Sequence, residues 1–114
     1  MQPSENLLHL PIEKLVDEIV AVNHAWKETK DLLGDHCALT TSLRQTKDWL
    51  QVRLLKQHSD WAFLQLDPHA VSDEPLYGLQ LVTPINGRTN AEHIPARVAQ
   101  EVLSESELSR FVRE

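Results

Sequence analysis

Residues 47–85 read KDWLQVRLLKQHSDWAFLQLDPHAVSDEPLYGLQLVTPI and hold two of the three tryptophans. Side chains on an extended strand switch faces at every residue, so apolar groups at alternate positions mark a strand with one buried side. From Trp49 to Leu55, Leu50, Val52 and Leu54 fall on one side, with Trp49, Gln51, Arg53 and Leu55 on the other. Trp61 to Asp67 sets Ala62, Leu64 and Leu66 against Trp61, Phe63, Gln65 and Asp67. Leu76 to Ile85 sets Tyr77, Leu79 and Leu81 against Gly78, Gln80 and Val82. Three such runs predict an antiparallel sheet with a shared aliphatic face.

Placing Leu54 beside Leu64 and Val52 beside Leu66 requires an odd loop near His58, because a one-residue slip exchanges the faces. The connection Pro68 to Pro75, rich in Asp, Ser and Pro, reads as a longer exposed loop. The second sheet face then carries Trp49, Leu55, Trp61, Phe63 and Val82 around Gln51, Arg53, Gln65, Asp67 and Gln80. So many large apolar groups call for a cover, either the chain's own helices or another protein surface.

Outward from this stretch, residues 1–10 are expected to fray at the start and pack down near Leu7, Leu8 and Leu10. Pro11 and Glu13 suit the first turn of a helix. Ile12, Leu15, Val16, Ile19, Val20, Val22 and Trp26 recur at three- and four-residue spacing, Leu32 and Leu33 extend the stripe, and Gly34 ends it. Glu13, Lys14, Asp17, Glu18, Lys27 and Glu28 form the solvated side. Ala38 to Leu43, with its threonines, reads as a fourth strand in preference to a loop.

Past the sheet, Asn86-Gly87 marks a turn and Arg88-Thr89-Asn90 is expected to lead into a helix that has Pro95 in its first turn. Ser104 and Glu107 spell a capping box between Leu103 and Leu108, so one short helix ends near Leu103 and another begins at Glu105. The expected architecture is one α+β domain over 1–114. It has a long N-terminal helix, an antiparallel meander of three to four strands and two short C-terminal helices.

At 114 residues the chain is long enough for one modest core, and its apolar fraction of 41% and charged fraction of 25% are ordinary for a globular protein. No run reaches the roughly 18 apolar residues of a membrane span, and no basic-then-apolar leader opens the sequence. A cytoplasmic location is expected. The single cysteine, Cys37, precludes an internal disulfide. A net charge of −6 argues against nucleic-acid binding, which draws on Lys and Arg to neutralise phosphates.

His9, His24, His36, His58, His69 and His93 show no zinc-ligand spacing, so neither metal nor cofactor is expected. Asp73-Glu74, Glu92 and Glu101 form no glycosidase-like pair, and Arg88, His93 and Arg97 make at most a small basic spot near the Asn86 turn. Arg53 and His58 form an R-x4-H string whose spacing resembles the ribonuclease motif of HEPN-type domains, where both residues lie on a helix of an all-α bundle. The resemblance spans six residues. It implies that Arg53 steadies a phosphate and His58 acts as general base.

The leading expectation is a non-enzymatic interaction module that uses Trp49, Arg53, Trp61, Phe63 and Val82 toward another protein or a second copy of itself. The rivals are a small hydrolase, such as an RNA-processing enzyme working through Arg53 and His58, and a pocket for an apolar ligand between the sheet and the first helix.

Overall fold

The computed structural model describes residues 10–113. Its order is α1 (Ile12–Leu33), α2 (Ala38–Gln57), β1 (Ala62–Leu66), β2 (Leu76–Ile85), β3 (Arg88–Pro95), α3 (Ala96–Val102) and α4 (Glu105–Phe111). The α+β class, the long first helix, the three-stranded meander and the two short closing helices all match the sequence reading. The expected fraying of the N-terminus lies outside the described residues. Leu10, just inside them, packs against the core.

Two expected strands are one helix. Ala38–Leu43 and Trp49–Leu55 both belong to α2, whose buried residues are Thr40, Lys47, Leu50, Gln51, Leu54 and Leu55. That spacing is helical, but half of the buried set is polar, so no apolar stripe advertises it. Leu50, Val52 and Leu54 alternate only by coincidence, and over so short a run alternation and helical spacing cannot be told apart. Of the threonines on this helix, Thr46 donates its hydroxyl to the Ser42 carbonyl one turn back (2.9 Å), while the Thr40 hydroxyl is buried without a partner among the described residues. The predicted pairing of Leu54 with Leu64 and of Val52 with Leu66 therefore does not exist. Instead the chain turns at His58, the C-cap of α2.

The third strand is β3, in the stretch read as the approach to a helix. Asn86 and Gly87 both have positive φ (53° and 76°), as a two-residue type I′ hairpin turn requires. Strand order is β1-β2-β3, all antiparallel. Gly78 pairs with His93 and Gln80 with Asn90, so one residue of β2 faces two of β3, Ala91 and Glu92. Glu92 takes the left-handed conformation (φ 67°) at this bulge. Gln51 of α2 braces it, its Nε2 donating to the carbonyls of Ala91 (3.0 Å) and His93 (3.2 Å).

All the helices build one core on one sheet face. Leu15, Val16 and Ile19 of α1 and Leu50, Leu54 and Leu55 of α2 meet Ala62, Leu64, Leu79, Leu81, Ala91 and Ile94 of the sheet. Val98, Ala99, Leu103 and Phe111 close its lower end. Leu55, expected on the second sheet face, is thus fully buried in this core. Leu32 and Leu33 do not extend the stripe of α1, for both are exposed at the hairpin tip. Gly34 ends that helix as expected, with φ 87° and its N–H on the Lys30 carbonyl.

The predicted capping box is formed: Ser104 Oγ accepts from Glu107 N (3.2 Å), and Glu107 Oε1 accepts from Ser104 N (2.9 Å). After α4 the chain runs along the outer edge of β1. Val112 makes a parallel bridge to Leu64, and Arg113 N donates to the Leu64 carbonyl (2.8 Å).

Candidate functional site

The five residues expected to form one surface fall on two. Cross-strand partners share a face, and the Trp61 carbonyl meets the chain at Val82, whose N donates to it (2.9 Å). With Phe63 opposite Gln80 and Gln65 opposite Gly78, this is the face turned away from the helices. Trp61 is 49% and Val82 47% exposed, while the Arg113 guanidinium lies 4.4 Å over the Phe63 ring. Trp49 and Arg53 sit on the side of α2 opposite its buried residues. There the Arg53 guanidinium stacks 4.7 Å from the Trp49 ring, and Trp49 is 57% exposed.

A second feature has no counterpart in the sequence reading. The outer half of α1, the first half of α2, residues 70–74 and the end of β3 enclose a cleft of about 750 Å³. Its position follows from the fold. The loop between β1 and β2 is pinned at its base, where Asp67 N donates to Leu76 O (2.9 Å) and His93 Nε2 donates to Asp67 Oδ2 (2.8 Å). Its far end is held by Ala96 N on the Pro75 carbonyl (2.9 Å) and by Arg97 beside Glu74 (3.5 Å). The loop thus stands as a wall facing the helical hairpin.

Trp26 lies at the centre of the helical wall. Lys47 Nζ is 5.0 Å, Lys30 Nζ 5.2 Å and Arg44 Cζ 6.0 Å from its ring centroid, within cation–π range. Lys47 is only 6% exposed, and burial lowers its pKa to about 8 against the pull of Asp48 and Glu92, with Lys27 and Arg44 pushing the same way as burial. Burial likewise raises the carboxyl of Asp48 above its usual range, although Lys47, Arg44 and Arg97 oppose it. At the loop's base the sign reverses: the hydrogen bonds from His93 and from the His69 N–H hold Asp67 below the ordinary carboxylate range.

Sequence reading missed Trp26 and Lys27 because each has an ordinary explanation in place, Trp26 as part of an apolar stripe and Lys27 as a solvated charge, and Lys47 because it stands at the start of a run read as strand. The available signal was the Asn86-Gly87 hairpin turn. Read as such, it supplies the third strand from β3 and releases residues 38–57 to form a helix, which puts Lys47 on the side facing α1. Between the sheet and the inner half of α1, Leu15, Val16, Ile19 and Ile94 are buried in the core.

Arg53 is in α2 and His58 caps it, so the R-x4-H string does lie on helix, contrary to the expected strand and turn, though not in an all-α bundle. His58 Nε2 donates to the Leu10 carbonyl (2.7 Å), and Gln57 Oε1 accepts from Leu10 N (3.2 Å), tying the start of α1 to the end of α2. Among the described residues no three His, Cys, Asp or Glu side chains gather as a metal site, and no helix is long and apolar enough to cross a membrane. Comparison with known proteins finds no matching family model, no similar curated protein and no similar solved structure.

Proposed function

We propose that this chain is a small cytoplasmic protein-interaction module that pairs with a second copy of itself through the outer face of its sheet. One observation carries the reading: that face displays Trp61, Phe63 and Val82, and no described helix packs across it. Its cross-strand pairs, Trp61 with Val82, Phe63 with Gln80 and Gln65 with Gly78, contain no acidic residue. In a chain of net charge −6, two copies repel least where the facing surfaces are poor in carboxylates, and the one that alternation puts at the end of this face, Asp67, is paired with His93 (2.8 Å). Aromatic groups on paired, rigid strands are also the usual anchors of interfaces. Trp49 and Arg53, on a different side, lie outside this contact.

Sedimentation equilibrium from micromolar to millimolar concentration tests the reading. The expected result is a dimer that Phe63→Glu and Val82→Glu both dissolve, with circular dichroism unchanged. A monomer at every concentration, or a dimer indifferent to both changes, overturns it.

The rival reading, RNA cleavage through Arg53 and His58, gains from the helical setting of the pair. RNA cleavage that His58→Ala removes would establish it; wild-type protein without cleavage dismisses it.

A further inference from the structure

We propose that the cleft between the helical hairpin and the 67–75 loop is a binding site for a small phosphomonoester, with Lys27, Arg44 and Lys47 holding the phosphate beside Trp26. The site is independent of the sheet face. Its basis is an imbalance in pairing. Of the cleft's carboxylates, Asp35 is met by Lys30 (3.9 Å), Glu74 by Arg97 (3.5 Å) and Glu92 by Arg88 (3.5 Å), while Asp73 on the loop and Asp48 on α2 form no ion pair among the described residues. Among the described residues Lys27, Arg44 and Lys47 form no ion pair.

Lys27 and Arg44 both line the cleft close enough to act on the Lys47 charge, and the carboxylate beside them, Asp48, is itself pushed by burial toward its neutral form. Like charges held together in a partly dry site repel one another, and a dianion relieves that repulsion where a monoanion relieves only part. A guanidinium fork flanked by two ammonium groups is the donor set that phosphate oxygens accept from most strongly. The volume, about 750 Å³, is that of a ligand pocket and leaves room for an organic group well beyond the phosphate. Asn23, Trp26, Leu76 and Pro95 line the space that group would fill.

Binding should move a proton. Lys47 faces Lys27 and Lys30 from α1, Arg44 and Asp48 from its own helix, and Glu92 and His93 from β3. An anion among them favours its charged form, raises its pKa from about 8, and draws a proton from the buffer at slightly alkaline pH.

The experiment is titration of the full chain with inorganic phosphate and with phenyl phosphate, against chloride at equal ionic strength. It is followed by NMR of the Trp26 indole and by calorimetry near pH 8 in buffers of different ionisation heat. The expected result is a saturable shift with both phosphates, tighter for phenyl phosphate, and proton uptake that Lys47→Met abolishes. Arg44→Gln, at a half-exposed position safe for folding, weakens binding about tenfold, as loss of a charge-assisted hydrogen bond does. Phosphate behaving like chloride, or Arg44→Gln and Lys47→Met both binding as the parent does, overturns the proposal.

Discussion

The two halves of α2 belong to different environments. From Leu50 onward the helix buries Leu50, Leu54 and Leu55 against the sheet, and its inward side is dry. Before that point the inward side carries Thr40 and Lys47, with Arg44 and Asp48 beside them on the cleft. Gln51 marks the boundary, its amide N–H groups spent on the β3 bulge while its Oε1 has no hydrogen-bond partner among the described residues. One helix thus serves as core for half its length and as the wall of a polar site for the other half. Well-packed apolar groups stabilise a fold cheaply, whereas buried charges cost stability and are kept for what they can bind.

That contrast can be broken by substitution. Leu54→Ala, in the dry half at a fully buried site, should cost about 2–5 kcal/mol in urea unfolding, from lost burial and the cavity left behind. Lys47→Met, in the wet half, should act in the opposite direction. The folded chain holds Lys47 with a pKa of about 8, against 10.5 ordinarily, so between those values the unfolded chain binds more protons and stability rises with pH. Below about pH 8 the penalty is complete, and relieving it should stabilise the variant by roughly 1–3 kcal/mol at pH 7. The advantage should shrink through that window and be gone near pH 10.5; an advantage independent of pH would mean that packing, not charge, explains it.

Smaller effects sharpen the boundary. Gln51→Ala leaves the carbonyls of Ala91 and His93 without their donor, at a cost of about 1–3 kcal/mol, and hydrogen exchange should show β3 loosening before β1. Thr40→Val is the gentlest test. The Thr40 hydroxyl is buried with no partner among the described residues, so an isosteric methyl should leave stability unchanged or raise it by about 1 kcal/mol. A clear loss in thermal unfolding would reveal a hydrogen bond that the hydroxyl makes through solvent.

The same division governed what could be read in advance. Helix α1 was legible because Leu15, Val16 and Ile19 keep a helical stripe, and β1 and β2 were legible because Ala62, Leu64, Leu79 and Leu81 alternate. The capping box at Ser104 is a local pattern that needs no tertiary partner. Helix α2 was hidden because Thr40, Lys47 and Gln51 occupy its inward side, where periodicity arguments look for leucine. Strand β3 was hidden because a bulge interrupts its alternation and only Ala91 and Ile94 on it are buried apolar groups. Polar burial and an irregular strand are what make the cleft, so the region hardest to read was the one with a candidate site. Phe63 and Val82 could be placed on one face because they lie on β1 and β2, with Trp61 one residue ahead of β1.

The contact of Val112 and Arg113 with Leu64 bears on how the protein behaves when crowded. An unpaired strand edge is a template for another chain's backbone, and such edges seed fibrils. Here the first strand's outer groups at Leu64 are met by Val112 and Arg113, while the Arg113 side chain shields the neighbouring Phe63. Trimming the chain from Val112 onward would leave the core nearly intact yet open the edge. The first symptom of such a loss would be precipitation on storage, well before any fall in melting temperature.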